Sequence, residues 1–248
     1  MSLRTRIARR LADWTPLHRV LAAAPEQAWA RAMVHGFIHG GAGAAYGVDA
    51  PRRAQLVRAF QRITRNVESG TPWLVHVALA EALLRVPREQ PGVVVECGAW
   101  QGASSAALSL VCAAVDRRLV VCDSFAGLPD EGERRHVGLH TGVYGHYRAG
   151  MFAGTQEELA ANVAAYGAPD RGEYVPGLFA DTLPTLAGPV AFGVLDVDLA
   201  GSTRDCGCAP GKSGQRKASA RQTAAAPASR AASAARAASA SSAGSASP

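Results

Sequence analysis

The chain has 248 residues, of which 48 % are hydrophobic, so it can bury a substantial core. Its net charge of +6 does not define a nucleic-acid-binding surface, because residues 206–248 hold six basic and no acidic side chains, leaving residues 1–205 with 20 of each sign. That segment also has no aromatic residue on which a base could stack, so we expect no nucleic-acid partner.

Targeting signals and disulfides are also disfavoured. No apolar run approaches the ~18 residues that a membrane span requires, and the arginine-rich N-terminus lacks the apolar segment of a signal peptide. The five cysteines are odd in number, and Cys206 and Cys208 form a C-x-C without a second pair to complete a zinc site. We therefore expect a cytoplasmic protein with no membrane partner.

Residues 1–90 are predicted to be helical. In segment 51–67 the apolar side chains recur every three or four residues, which places them on one face of a helix. A further helix follows, with Thr71 as its predicted N-cap and Pro72 at its first position. This helix should end before Pro87, because the residue preceding a proline disfavours helical geometry.

From residue 91 the pattern changes to apolar strands that alternate with helices. The predicted strands are 93–97, 119–125, 173–177 and 190–198, and the predicted helices are 104–115 and 155–167. Thr155 and Glu158 should form a capping box at the start of the second helix. Buried strands in alternation with helices predict a parallel sheet covered on both faces, which is an α/β, Rossmann-like fold.

The composition changes again after Asp205. Residues 206–248 contain no Val, Ile, Leu, Met, Phe, Trp or Tyr, so they cannot bury enough apolar surface to offset the entropy of ordering. We therefore expect three regions: a helical region 1–90, a Rossmann-like domain 91–205, and a disordered tail 206–248.

A long segment of little periodicity lies between Leu128 and Gly154. Such lengths are typical of functional lids or of disordered loops, and both interpretations stay open. One of its histidines, His136, His140 or His146, could contact substrate, whereas their spacing does not predict a metal site.

The stretch VVVECGAWQGASS is the most informative in the chain. A strand ends near Glu96, and Gly98 and Gly102 flank a turn before a helix begins. Gly98 can adopt positive φ and allows close approach of a ligand, Gly102 permits close strand–helix packing, and the helix N-terminus offers free N–H groups. A nicotinamide-dependent reductase is disfavoured, because Trp100 stands where G-x-G-x-x-G requires glycine.

Acidic residues follow the second and fourth strands. Asp123 stands where doubly wound folds place an acid on ribose hydroxyls, and the alternative is a carboxylate that caps its own turn. Asp196 and Asp198 should share a strand face at the carboxyl edge, which suits a divalent cation with one ligand and one proton acceptor. Their alternative role is to cap the turn at Ser202 and Thr203.

The motifs ECGAWQGASS, CDSFAGLP, YGAP, PGLFADTLP and LDVDL occur in this order within residues 60–205, and the chain thereby resembles the macrocin O-methyltransferase family. The resemblance implies a class I methyltransferase sheet that binds S-adenosylmethionine. It also implies Mg²⁺ on Asp196, Asp198 as the base that deprotonates a substrate hydroxyl, and a small-molecule acceptor such as a sugar. The predicted cofactor contacts are Glu96, Gly98, Ala99, Trp100, Gly102, Ser104, Asp123 and Ser124.

The chain departs from this family after Asp205. Relatives continue with an apolar helix, a Pro-Gly-Gly turn and a strand ending in two aspartates that complete the metal site, whereas here CGCAPGKSGQRKAS follows. A frameshift is the simplest cause, and it predicts that another reading frame after codon 205 encodes the aspartate pair. The sheet should then be incomplete, with strand 190–198 at an edge that aggregates or recruits a partner strand, as in a homo-oligomer.

We accordingly expect low solubility, and weak activity or none. The alternative is a non-catalytic protein that retains the glycine turn and Asp123 for cofactor binding or interaction.

Overall fold

The computed structural model describes residues 15–130, 136–137, 144–145 and 147–208, with only the secondary structure given for 15–26, for the two short central ranges and for Cys208. The chain divides into two compact units, Met1–Gly214 and Gln215–Pro248, of which the second lies outside the described residues. Residues 209–248, most of the predicted tail, therefore have no structural description. The domain boundaries after residues 90 and 205 remain predictions.

Seven α-helices and six strands are described. The helices are α1 Thr15–His39, α2 Ala50–Asn66, α3 Trp73–Leu84, α4 Ala103–Val115, α5 Gln156–Tyr166, α6 Phe179–Thr182 and α7 Ala200–Cys208. The strands are β1 Val93–Cys97, β2 Leu119–Asp123, β3 His136–Val137, β4 Tyr144–Gly145, β5 Gly172–Pro176 and β6 Val190–Leu195. None of the helices within the described ranges has the length and apolar character needed to cross a bilayer.

The four longer strands form one parallel sheet in the order β5-β2-β1-β6. β1 lies between β2 and β6, with Glu96 opposite Val121 on one side and Val194 on the other. The remaining strands, β3 and β4, form a short antiparallel pair. The predicted α/β fold is confirmed, and β6 is an edge strand of the described sheet, as expected from the departure from the family after Asp205.

Two helix N-termini test the predictions made from local sequence signals. Thr155 and Glu158 form the predicted capping box at α5, with both reciprocal hydrogen bonds present. The prediction of Thr71 as the N-cap of α3 is wrong, because α3 begins at Trp73 and Pro72 occupies the cap position without a side-chain bond. The hydroxyl of Thr71 is directed instead to a carboxylate that follows β6.

Two apolar clusters cover the sheet. The larger combines side chains of α2, α3, α4 and α5 with Val94, Leu119 and Val121 of the strands. The smaller lies against Val95 and Cys97, where α6 and α7 supply fewer apolar groups. The predicted helical region and the sheet therefore share one core, and the two faces are covered unequally.

A buried arginine holds the connection between α1 and α2. Arg53 donates hydrogen bonds to the carbonyl oxygens of Ile38, Ala42 and Val48 at 2.9, 2.8 and 2.5 Å. Carbonyls at the end of a helix lack intrahelical partners, so the guanidinium satisfies groups that would otherwise be buried unpaired.

Candidate functional site

The carboxyl ends of β1, β2 and β6 meet at one edge of the sheet, where ligands of open α/β sheets bind. Two backbone hydrogen bonds extend the pairing beyond the strands. The N–H of Gly98 donates to the carbonyl oxygen of Cys122 at 3.0 Å, and that of Asp196 donates to Cys97 at 2.9 Å. The residues that follow the three strands are thereby held side by side.

The turn after β1 depends on its glycines. Gly98 and Gly102 both have φ of +85°, and Trp100 between them has φ of +46°. A Cβ at Gly98 would collide with the carbonyl oxygen of Asp196, and one at Gly102 would lie 2.7 Å from Cγ of Leu159. The positive φ expected of Gly98 is present. The close neighbour of Gly102 is helix α5, rather than the strand that the sequence suggested.

Asp123 connects the turns that follow β1 and β2. Its Oδ2 accepts hydrogen bonds from the backbone N–H groups of Ala99 and Trp100 at 2.7 and 3.3 Å, and its Oδ1 accepts from Phe125 at 2.8 Å. The carboxylate therefore caps its own turn, as the alternative interpretation predicted, and also fixes the glycine turn. Ser124 serves the same turn, because its hydroxyl donates to the carbonyl oxygen of Gly127 at 2.8 Å.

Glu96 is fully buried beneath this edge. Its Oε2 accepts a hydrogen bond from the hydroxyl of Ser105 at 2.5 Å, while Oε1 has no hydrogen-bond partner among the described residues. Burial raises the pKa of Glu96 to about 7, the hydroxyls of Ser104 and Ser105 act in the opposite direction, and the charges of Asp196 and Asp123 raise it further. The carboxyl is thus close to half-protonated near neutrality.

Asp196 and Asp198 lie beyond β6 rather than within it. The strand ends at Leu195, so the expectation that the two acids share a strand face is wrong. The physical reason is that β1 ends at Cys97, whose carbonyl accepts the N–H of Asp196, and no β1 backbone continues the ladder. Helix α7 then begins at Ala200.

The two carboxylates have different partners. Asp196 Oδ2 accepts a hydrogen bond from the hydroxyl of Thr71 at 3.0 Å, and Asp198 Oδ1 accepts from the hydroxyl of Tyr147 at 3.0 Å. Partial burial and the negative charge of Asp198 raise the pKa of Tyr147, so its proton stays on the phenol. Within the described ranges no group of three or more His, Cys, Asp or Glu side chains could hold a metal ion. The assignment of Mg²⁺ to Asp196 therefore stays a prediction that no three-ligand group in the described ranges supports.

Aromatic side chains stand over the glycine turn. The ring of Phe152 lies edge-on to those of Trp100 and Tyr147, with centroid distances of 5.4 and 6.0 Å. Trp100 and Phe152 both have positive φ, which is costly for residues with a side chain and is concentrated at functional sites. A Cβ at Gly154 would approach the carbonyl oxygen of Trp100 to 2.7 Å, so the loop packs closely on the turn.

The long loop supplies the residues that sequence reasoning missed. Its ends are joined because Leu128 donates to the carbonyl of Met151 at 2.8 Å and Gly150 donates to that of Leu128 at 2.9 Å. The length of the loop was the only sequence signal that pointed to Tyr147 and Phe152. The side chains of His136, His140 and His146 lie outside the described residues.

A cavity of about 380 Å³ lies at the opposite, amino-terminal end of the strands. Arg117 lines it and donates hydrogen bonds to the carbonyl oxygens of Pro87, Gln90 and Gly92. These bonds join the turn after α4 to the segment before β1. The cavity lies at the edge opposite to the one where cofactors of open α/β sheets bind.

The parallel sheet, the glycine turn and the acid after β2 together give the chain an α/β fold of the class I methyltransferase kind. The profile of the macrocin-O-methyltransferase (TylF) family matches residues 75–208, which is more than half of the chain. The chain belongs to this family.

Two relatives are Streptomyces O-methyltransferases. Over 120 residues the chain is 38 % identical to the 8-demethyl-8-(2,3-dimethoxy-alpha-L-rhamnosyl)-tetracenomycin-C 4'-O-methyltransferase of Streptomyces olivaceus, a match covering 46 % of each chain. Over 120 residues it is 36 % identical to the demethyldecarbamoylnovobiocin O-methyltransferase of Streptomyces niveus, covering 46 % of this chain and 45 % of the relative. The match thus spans about half the length of these relatives.

Two solved structures are also similar. The O-methyltransferase NovP is 28 % identical, with 64 % of this chain and 58 % of that chain covered and a TM-score of 0.38. The calicheamicin methyltransferase CalS11 is 22 % identical, with 65 % and 73 % covered and a TM-score of 0.42. Because both scores are low, the fold assignment rests on the sheet order and the family match.

Proposed function

We propose that the chain is an S-adenosylmethionine-dependent O-methyltransferase that acts on a hydroxyl of a sugar or glycosylated natural product. Membership of the macrocin-O-methyltransferase family supports the reaction class. The observation that carries the proposal is the convergence of four acids, Glu96, Asp123, Asp196 and Asp198, at the carboxyl edge of three adjacent strands.

The electrostatics of this edge suit a cationic cofactor. S-adenosylmethionine carries positive charge on its sulfonium and amino groups, and it supplies the methyl group when bound. The charges of Asp123 and Asp196 already raise the pKa of Glu96, so a cation beside them would be attracted by all three acids. The unpaired Oε1 of Glu96 could accept a hydrogen bond from an ammonium group, which would favour the ionised carboxylate.

Asp198 is the proposed general base. Its carboxylate lies beyond the end of β6, and the hydroxyl of Tyr147 holds one of its oxygens. In the proposed reaction Asp198 would take the proton of the substrate hydroxyl, and the bound cofactor would supply the methyl group to the oxygen, its sulfur keeping the electrons of the carbon–sulfur bond. Alignment of oxygen, carbon and sulfur supplies much of the remaining rate.

Magnesium has no step in this proposal. Asp196 was expected to bind it, and a carboxylate is a suitable ligand for this ion. Its Oδ2, however, is hydrogen-bonded to Thr71, and no three-ligand group is present in the described part of the chain. The proposal does not assume that methyl transfer needs Mg²⁺, and the experiment below measures the transfer with and without the ion.

The test is transfer of a labelled methyl group from S-adenosylmethionine to demethylated rhamnosyl-tetracenomycin or demethyldecarbamoylnovobiocin, with Mg²⁺ or with EDTA. We expect a methylated product from the wild type and at least a hundredfold lower rate from Asp198→Asn. Asp170→Asn, an exposed acid in the turn before β5, is the matched control and should retain the wild-type rate.

The alternative is a protein that binds the cofactor without catalysis, and the departure from the family sequence after Asp205 supports it. It predicts heat of S-adenosylmethionine binding in calorimetry but no product with any acceptor. Binding that requires Asp123, without product in either metal arm, would establish the alternative. A product whose rate is unaffected by Asp198→Asn would refute the assigned base.

A further inference from the structure

Strand β6 forms one border of the parallel sheet, with β1 as its neighbour in the described structure. Gly193 and Leu195 are exposed, and the side chain of Leu195 retains 51 % of its accessible surface. Both residues lie on the thinly covered face, because Gly193 pairs with Val95 and Leu195 pairs with Cys97.

The backbone pattern shows which groups point away from β1. The N–H of Asp196 donates to Cys97, and residues of a parallel strand bond to a given neighbour at every second position. Residues 192 and 194 therefore bond to β1, whereas Gly193 and Leu195 direct N–H and C=O outward. The carbonyl of Ala191 is taken by the side-chain amide of Gln90 at 3.0 Å.

This border lacks the features that protect edge strands. Segment Val190–Leu195 contains no charged residue and no proline, which are the usual obstacles to strand pairing. Residues 209–248 are a poor source of a covering strand, because they contain no Val, Ile, Leu, Met, Phe, Trp or Tyr. A second copy of β6, by contrast, offers the same four outward groups.

We propose that β6 pairs in antiparallel fashion with β6 of a second copy, and that a two-fold dimer with one continuous sheet results. A register centred on Val194 places Gly193 opposite Leu195 of the second copy, so each such pair exchanges two hydrogen bonds and the four outward groups of Gly193 and Leu195 are used. A register centred on Gly193 would require the occupied carbonyl of Ala191.

Side chains favour the same register. Nothing lies within 4 Å of a Cβ built at Gly193, so the space beside this glycine is open. In the Val194-centred register the exposed Leu195 of each copy lies over that space on the other. The dimer would thus cover the exposed leucine of β6 and satisfy the backbone of its free border.

The test is sedimentation equilibrium of the full chain at about 1 to 100 µM, a range that resolves micromolar association. The wild type should approach twice the chain mass of 25.7 kDa. Gly193→Pro should remain monomeric, because proline removes an outward N–H without removing a bond to β1. The matched control Gly193→Ala keeps the N–H and should still dimerise, although its methyl group enters the space beside Leu195 of the second copy.

A second variant tests the proposal in case Gly193→Pro does not fold. Leu195→Lys places a charge at the border and should also be monomeric, with a wild-type far-ultraviolet circular dichroism spectrum. If Gly193→Pro loses its secondary structure, Leu195→Lys alone decides the result. A monomeric wild type, or dimers or larger assemblies that persist in a folded variant, would overturn the proposal. None of these readouts depends on methyl transfer, so this inference and the proposed function can fail separately.

Discussion

At the scale of single residues, the raised pKa of Glu96 in the candidate site makes the free energy of unfolding depend on pH. Its folded pKa of about 7 exceeds the ordinary value, so between about pH 4.5 and 7 the folded state holds more protons than the unfolded state. The free energy of unfolding therefore falls as pH rises through this window, and the loss is complete above pH 7. Burial of an ionised carboxylate is the cause.

Glu96→Gln should remove this pH dependence. As pH rises from 5 to 7.5, the free energy of unfolding of the variant should increase by roughly 2 kcal/mol relative to that of the wild type, since the amide cannot ionise. Urea unfolding at a series of pH values measures the difference. A difference that stays constant with pH would show that Glu96 does not titrate in this range.

His76 on α3 makes the free energy of unfolding depend on pH in the opposite direction. Its imidazole is buried against Phe60, both ring nitrogens lack partners among the described residues, and burial lowers its pKa to about 4. The unfolded chain binds the extra proton below pH 6.5, so stability present above that pH is lost as pH falls towards 4.

His76→Phe should abolish this acid sensitivity. The variant keeps the ring packing and has no nitrogen to protonate. The difference in free energy of unfolding between variant and wild type should therefore be about 2 kcal/mol more favourable to the variant at pH 5 than at pH 7. The same urea experiment applies, and an equal pH profile for the two proteins would contradict the assignment.

Tyr147 tests the orientation of the proposed base. Tyr147→Phe removes the hydrogen bond to Asp198 and retains the ring against Phe152. We expect kcat to fall about tenfold, which corresponds to a hydrogen bond to a charged group of about 1.4 kcal/mol, with unchanged affinity for S-adenosylmethionine. An altered cofactor affinity with unchanged kcat would place Tyr147 in binding instead.

At the scale of elements, the glycine turn should tolerate substitution unequally. Gly98→Ala forces a Cβ against the backbone carbonyl of Asp196 at positive φ, so we expect a loss of at least about 2 kcal/mol in the free energy of unfolding. Gly102→Ala meets the side chain of Leu159 and should cost less. Gly193→Ala is the control, because its Cβ meets nothing within 4 Å. Thermal denaturation ranks the three, and an equal effect at Gly98 and Gly193 would contradict the geometry.

Elements were predictable where local signals act alone. The buried strand VVVEC and the capping box of α5 needed only apolar β-branched residues and a Thr-x-x-Glu spacing. The end of β6 was not predictable, since it depends on where β1 stops. Likewise, the bond from Thr71 to Asp196 spans 125 positions, so no local pattern shows it.

At the scale of the whole molecule, alternation of strands and helices predicted the parallel sheet and its open border. The same approach found Asp123 and the glycine turn, because ligand-binding edges follow strand ends. It could not find the guanidinium of Arg53 in the core or the aromatic rings over the turn. Their positions are set by tertiary contacts with the carbonyls of residues 38–48 and with Trp100.

The central claim is that the carboxyl edge of this sheet binds S-adenosylmethionine, and calorimetric titration of the cofactor tests it most directly. The account predicts one site in the wild type, at least tenfold weaker binding in Asp123→Ala, and unchanged binding in Asp170→Ala. Far-ultraviolet circular dichroism confirms that each variant is folded. No binding heat from the folded wild type, or equal affinity in Asp123→Ala, would contradict the account.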